Sequence, residues 1–310
     1  MYRVRTASPA DLPAVIELVA RLQREPAHHI AFHGETEAEV AEELAGLGPD
    51  WTELAVVVED RNGRLRGVLS VEVEDEQRRA FLYGPYVDVP ANHPAAGQLW
   101  QQTADTLLDA ALHLPSVAGV TALDLFGHRR NRLLADFATR HDIPAASTTR
   151  LLTLTGADLR ALLTDAADQD RVVPLPADPT VRAAVAHLHD TCFPNAPTSG
   201  PRLVSGASGH TVVVLLGSAG LLGYAAGYAQ AGEHYVDVVG VDEPVRGLGA
   251  GRSLVRRLLV ELVAAAGSRD RAAALVNLDN HASERMFTAL GFTCRTELVS
   301  YHRAEAPLPT

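Results

Sequence analysis

The densest chemistry in the chain lies where Val236-Asp237-Val238-Val239-Gly240-Val241 runs into Asp242-Glu243-Pro244-Val245-Arg246-Gly247-Leu248-Gly249-Ala250-Gly251-Arg252. A β-branched run meets a glycine loop, and the loop opens an amphipathic segment. Glycine lets a backbone approach an anion closely, and the first turn of a helix leaves its N–H groups unpaired at a positive end. The segment therefore reads as a phosphate site built from main-chain amides. Two other phosphate loops fail. The Walker loop needs Gly-Lys-Ser/Thr, and the 27 basic residues of this chain are all arginine. The dinucleotide fingerprint Gly-x-Gly-x-x-Gly needs a glycine where Arg252 stands. The absence of lysine also removes Schiff-base and Ser-x-x-Lys chemistry.

The spacing that fits is Arg-x-x-Gly-x-Gly, as Arg246, Gly249 and Gly251. Further on stands Asn280-His281-Ala282-Ser283-Glu284-Arg285-Met286-Phe287-Thr288-Ala289-Leu290-Gly291-Phe292. On these two motifs the chain resembles the GNAT acetyltransferase superfamily, whose second block reads Asn-x-x-Ala-x-x-x-Tyr-x-x-x-Gly-Phe. The resemblance covers Arg171–Arg303 and is sharpest from His234 to Phe292. It implies acetyl-coenzyme A as acyl donor. The amides of Gly247, Leu248, Gly249, Ala250, Gly251 and Arg252 would hold its pyrophosphate, with charge from Arg246 or Arg252. Backbone groups of Val239 and Val241 would meet the pantetheine arm, and an N–H near Val241 would polarise the thioester carbonyl. Asn280 would bond the cofactor's amide region, and Ser283 and Phe287 complete the cofactor-binding block.

One position departs from the family pattern. Its tyrosine, the usual proton donor to the departing thiolate, is Phe287 here. Three outcomes stay open. Tyr235, Tyr301 or water donates instead, coenzyme A leaves as a thiolate, or the domain binds without catalysing. Phe287 itself reads as packing. For the base, strand alternation puts Glu233, Tyr235, Asp237, Val239 and Val241 on one face. An attacking amine must lose a proton, so a carboxylate there suits the chemistry. Asp237 is the first candidate and Glu233 the second. Asp237 also suits plain binding of an ammonium group.

The elements that position these residues recur in two copies of one plan, β-α-β-β-β-α-β-α-β. In the first, Ser8-Pro9-Ala10-Asp11 starts a helix, and Asn62-Gly63 joins strands 54–59 and 65–74 as a hairpin. Helices at 96–112 and 131–140 separate strands at 81–89, 120–125 and 147–154. In the second, Pro176-Ala177-Asp178 echoes Pro9-Ala10-Asp11, and the uncharged stretch Thr211–Gly232 is broken by glycines. It reads as a hairpin rather than a membrane span. The predicted fold class is α/β, with two tandem GNAT-like domains, each a mixed, mostly antiparallel sheet flanked by helices. The domains are 1–155, a polar connector 156–170, and 171–310, with a frayed tail from Ala304. In the first copy Pro94, Gly97 and Leu99 fall opposite Arg246, Gly249 and Gly251, while Asn131 matches Asn280. That half reads as a degenerate copy shaping the acceptor site. Tandem GNAT enzymes of the mycothiol synthase type are similar in length and plan, with the C-terminal copy active.

Composition sets the remaining bounds. A formal charge of −11 argues against nucleic acid and suits a small cationic partner. Two cysteines, Cys192 and Cys294, imply no disulfide scaffold and fit a reducing cytoplasm. His28, His29 and His33 include an i, i+4 pair that a metal could use on a helix, but they follow Pro26 in an expected loop. His187, His189 and Cys192 read as ordinary helix residues. Gly206-Ala207-Ser208-Gly209 lacks the spacing of a hydrolase nucleophile, and the residues from Cys192 to Asn195 are expected to touch the acceptor. No metal is expected. The resulting expectation is N-acetyl transfer to a small-molecule amine in a ternary complex, by a cytoplasmic monomer with an internal pseudo-dimer, without nucleic acid or membrane. The alternative is a non-catalytic acyl-coenzyme A sensor or partner-binding module.

Overall fold

The computed structural model describes residues 2–30, 33–47, 50–74, 78–90, 93–164, 171–194, 196–218, 220–230 and 232–303. The expected tail beyond residue 303, and the second part of the expected connector, lie outside the described residues.

Helix starts follow local capping chemistry. Ser8 and Asp11 form a capping box ahead of α1 (Leu12–Gln23), and Thr36 and Glu39 form another at α2 (Glu37–Gly46). Asp178 caps α6 (Pro179–Cys192), accepting from the Thr180 amide at 2.7 Å. The first compact unit also holds β1 (Arg3–Thr6), β2 (Ala55–Glu59), β3 (Leu65–Glu74), β4 (Arg79–Val87), α3 (Ala96–Leu112), β5 (Ala122–His128) and α4 (Arg132–Arg140). The second holds α5 (Gly156–Thr164), β7 (Val172–Pro174), α6, α7 (Gly200–Ser205), β8 (Thr211–Gly217), β9 (Gly220–Gln230), β10 (Glu233–Val241), α8 (Ala250–Ala266), β11 (Arg271–Asn277) and α9 (His281–Ala289). The uncharged stretch is the β8–β9 hairpin, paired antiparallel from Thr211↔Gly227 to Gly217↔Gly220. No helix among the described residues is long and apolar enough to cross a membrane.

The units do not divide where the repeats do. Unit 1 is Met1–Thr149 with the segment from Glu297 on, and unit 2 is Arg150–Thr296. The cause is the last strand of each repeat. β12 (Thr293–Arg303) pairs its second part with β5, from Leu298↔His128 to Arg303↔Leu123, and so completes the sheet of unit 1. β6 (Ala145–Thr155) likewise begins in unit 1 and ends beside β11 in unit 2. The expected boundary at 155 and the second domain running to 310 are thus replaced by an exchange of final strands. The first part of the expected connector is also not a linker. It is α5, and its Leu159 and Leu162 are buried in the core of unit 2.

Each core follows from side-chain periodicity. In unit 1, Leu107 and Leu108 of α3 pack with Leu69, Leu123 and Leu125 of the sheet. In unit 2 the sheet carries apolar layers on both faces. Leu254, Leu258 and Leu259 of α8 cover Val236, Ala225 and Ala272 on one face. Val185 of α6 and Leu203 of α7 cover Val212, Val214, Tyr224, Ala226 and Val238 on the other.

A prediction concerns the start of unit 1. Arg5 donates to both carboxylate oxygens of Asp11 at 2.7 Å each, and this, with the Ser8 bonds, holds the Asp11 carboxyl down to about 2 against the opposing effect of burial. A depressed folded value means the stabilisation is present above the ordinary value of 3.8 and lost as pH falls through about 2. Thermal melts of Asp11→Asn should therefore show a flatter loss of stability between those two pH values than the unchanged protein. Superimposable pH curves would contradict this account.

Candidate functional site

The glycine loop sits at a place where two strands part. β10 and β11 run parallel and pair only at Glu233↔Arg271, His234↔Ala272 and Tyr235↔Ala273. β10 continues to Val241 and β11 to Asn277, so beyond Tyr235 they diverge. The other edge of β10 stays paired with β9 as far as Val241↔Gly223. One row of β10 main-chain groups therefore faces a groove. The Asp242 amide donates to the Leu222 carbonyl of β9 at 2.9 Å. Successive amides on a strand alternate in direction, so those of Val241 and Val239 point away from β9 and into that groove.

The expected single face on β10 is corrected by a bulge. The register jumps from Val236↔Gly227 to Val238↔Ala226, leaving Asp237 as the extra residue. The side chains after it swap faces. Val239 and Val241 pack with Val236 on the α8 side, and Val238 packs with Tyr224 on the side of α6 and α7. Tyr235 contacts Tyr228, at 5.3 Å between ring centroids. Asp237 is exposed and its Oδ2 lies 3.0 Å from His210 Nε2. Glu233 is committed elsewhere: it is buried and accepts from Arg271 Nε at 2.7 Å. Burial, with Tyr228, Asp237 and Glu233 nearby, pushes the Tyr235 hydroxyl well above its usual value, so it keeps its proton. Tyr301 is packed into the core of unit 1.

The loop has the geometry of an anion cradle. Gly247 and Gly249 adopt φ of +78° and +91°, which only glycine takes without strain. Gly249 is the N-cap of α8 and supplies no side-chain cap. Among the described residues, the amides of Gly247, Gly249, Ala250 and Gly251 donate to no protein atom. Arg246 donates from Nε to the Val241 carbonyl at 3.0 Å, which ties its guanidinium to the end of β10. Arg252 lies on the first turn of α8. Gly251 has a different reason. A Cβ there would overlap Met286 Sδ, so its role is close contact between α8 and α9. Leu248 stands 77% exposed at the tip.

The second motif is a helix start. Asn280 caps α9, its Oδ1 accepting from the Ser283 amide at 3.0 Å, which leaves its Nδ2 donors to meet a ligand. Phe287 is buried and packs edge-on to Phe292, with centroids 5.1 Å apart. That is the packing role expected of it.

Unit 1 repeats the parting of strands but fills it. β4 and β5 pair in parallel from Arg79↔Ala122 to Leu82↔Leu125 and then separate. β12 occupies the far edge of β5, pairing Gly127↔Val299. Ile30 nevertheless bridges Gly127, so it must enter from the edge that β4 has vacated. The His128 amide donates to the His29 carbonyl at 3.0 Å, and Asn131 Nδ2 donates to the same oxygen at 3.4 Å. Buried Gln23 accepts from the Ile30 amide at 2.8 Å and donates to the His33 carbonyl. The His33 ring lies against Tyr83 and Tyr86 and bonds Glu43. His29 and His33 thus belong to a plug. In unit 2, among the described residues after α6, nothing bridges β11 in this way. Asn195, one of the residues expected to touch the acceptor, lies outside the described residues.

The residue that the spacing missed is His210. It stands 27 positions before Asp237 and joins it only through the β8–β9–β10 register. No local pattern marks that pairing.

A parted parallel pair stands beside an uncapped glycine loop that opens a helix, within a mixed α/β sheet. Residues 182–292 match the family model described as Acetyltransferase (GNAT) family. The chain is similar in fold to a GCN5-related N-acetyltransferase from Sphaerobacter thermophilus, at 17% identity and a TM-score of 0.69, covering 100% of this chain and 98% of that one. It is also similar to a tandem GNAT protein from the clavulanic acid biosynthesis pathway, at 14% identity and a TM-score of 0.62, covering 100% of both chains. No curated protein matches the chain in sequence. The family likeness in sequence thus rests on residues 182–292, and the whole chain has a tandem GNAT-like fold.

The packing of Phe287 makes a prediction. Phe287→Tyr should lower stability by about 1–3 kcal/mol, because a hydroxyl enters an apolar contact without a partner. Chemical denaturation would measure it, and unchanged stability would show that the ring edge has room and a partner.

Proposed function

We propose that unit 2 binds acetyl-coenzyme A and transfers its acetyl group to a small-molecule amine. The unpaired amides of Gly247, Gly249, Ala250 and Gly251, set beside the parted strands, carry this reading. They fit a pyrophosphate, because four unpaired N–H groups lie at or beside the positive end of a long helix. Arg246 and Arg252 add charge to the same loop. The groove-facing amides of Val239 and Val241 fit the carbonyls of the pantetheine arm. Unit 1 supplies an internal guide to the next contact. There His128 N–H and Asn131 Nδ2 share the His29 carbonyl, and the matching donors in unit 2 are Asn277 N–H and Asn280 Nδ2.

When bound, acetyl-coenzyme A supplies an activated thioester. The chain orients, polarises and moves protons. The Val241 amide is placed to polarise the thioester oxygen. Holding amine and thioester together in one cleft supplies much of the rate. Asp237 is the available carboxylate, since Glu233 is held by Arg271. Tyr235 keeps its hydroxyl proton and is the candidate donor toward the departing sulfur, in place of Phe287. Unit 1 takes no coenzyme, because His29 and Ile30 fill its cleft from within. The acidic chain and the exposed Asp237 favour a cationic acceptor.

Calorimetry with coenzyme A should show one site per chain, abolished by Gly249→Glu. Two equivalent sites would overturn the closed cleft of unit 1, and no binding at all would overturn the whole reading. Thiol release across an amine panel separates a transferase from a non-catalytic acyl-coenzyme A sensor. Asp237→Ala should bind coenzyme A normally and turn over on the order of 100-fold more slowly. Tight coenzyme binding with no turnover on any amine would favour the sensor.

A further inference from the structure

The turn between α7 and β8 carries a side chain that neither motif includes. Gly206 and Gly209, at φ of +82° and +71°, bring the chain round to His210. The His210 side chain is only 7% exposed. It stands edge-on to Tyr228, with centroids 5.1 Å apart and an interplanar angle of 88°. Its Nε2 lies 3.0 Å from Asp237 Oδ2, and its Nδ1 lies 3.1 Å from the Ser208 carbonyl oxygen. The groups that face it are Asp237 on β10 and Tyr228 on β9, with Tyr235 tilted against Tyr228.

Both hydrogen-bond partners of the ring can only accept. A carbonyl has no proton to give, and neither has an ionised carboxylate. Neutral imidazole has one N–H and satisfies one of them. Imidazolium has two and satisfies both. The Ser208 carbonyl holds the ring at Nδ1 from behind, and Nε2 is the nitrogen that faces Asp237. A surface ion pair would not need a ring walled in by tyrosine and held from behind by the main chain.

We propose that His210 is a positioning residue for the transfer reaction, holding Asp237 toward the acceptor and taking over the proton that Asp237 removes from it. This rests on the acetyl-transfer reading of unit 2. An acceptor ammonium gives up one N–H proton to Asp237, and His210 Nε2 takes that proton over. The freed nitrogen lone pair forms the new C–N bond while the C–S bond breaks with its electron pair on sulfur. The second N–H proton leaves with that sulfur as thiol. The pair is left as imidazolium and carboxylate, and it returns the proton to solvent before the next turnover.

The test uses the full chain with acetyl-coenzyme A and the best amine of a panel. His210→Gln keeps a donor toward Asp237 but cannot accept the proton. It should bind coenzyme A within about twofold of the unchanged protein and keep its KM for the amine. Its kcat should fall on the order of 100-fold, and the acid limb of its pH profile should be displaced. His210→Ala should be partly rescued by added imidazole, and Asp237→Ala should make a second change at His210 silent. An unchanged kcat and pH profile in His210→Gln would overturn the proposal, as would equal loss in His210→Ala with and without imidazole. Absence of coenzyme A binding by the unchanged protein would instead overturn the acetyl-transfer reading itself, and the role of His210 with it.

Discussion

A parallel strand pair that comes apart partway along leaves a row of main-chain N–H and C=O groups without partners. Buried or half-buried groups of that kind must be satisfied by something, at a cost of about 1–3 kcal/mol each if they are not. This chain contains the arrangement twice, after Tyr235↔Ala273 and after Leu82↔Leu125. The two units meet the constraint differently. Unit 1 folds its own residues 29–30 into the gap and clamps them with Gln23. In unit 2, among the described residues after α6, no segment bridges the gap, and on the proposed reading a ligand would fill it. The plug and the ligand are alternative solutions to one hydrogen-bonding problem.

The loop obeys the same logic at the end of α8. An uncapped helix start is unfavourable unless its amides find acceptors, and Gly249 brings no side chain to serve them. Four helices of this chain do cap themselves: Asp178, Thr36, Asn131 and Asn280 all accept from first-turn amides. The helix that the phosphate reading needs is not among them, and its N-cap is a positive-φ glycine. At the equivalent join of unit 1, α3 also starts on an uncapped residue, Ala95, but the positive-φ glycines are gone. Without them the backbone cannot curl its amides toward a common centre. A lysine-free chain can still build such a site. Main-chain amides supply most of the donors, and a guanidinium offers phosphate a planar fork where an ammonium offers a point charge.

Much of this was legible in the residues. The repeat plan, the β8–β9 hairpin and the α9 start all rest on local signals: glycine pairs, caps and periodicity. What escaped is set by partners distant in sequence. The exchange of β6 and β12 cannot be seen locally, because a final strand looks the same whichever unit it joins. α5 looked like a linker because its apolar positions, Leu159 and Leu162, are few and its surroundings polar. The plug escaped for the same reason: Gln23, Ile30 and Gly127 acquire meaning only when the sheet brings Gly127 beside Ile30.

The bulge at Asp237 shows most plainly how a small backbone event redirects chemistry. Strict alternation would put Asp237 on a face with Val239 and Val241, toward α8. One extra residue breaks that pattern and lets the two functions of the strand separate. Before and at the bulge, Tyr235 and Asp237 join Tyr228 and His210 in a polar, aromatic cluster. After it, Val239 and Val241 anchor in the apolar layer under α8, while their amides stay turned to the groove. The strand thus turns main chain toward the groove and side chains toward the His210 cluster from adjacent residues. A regular strand could not do this, because side chains that bind on one face would repeat every second residue into the zone where only backbone belongs.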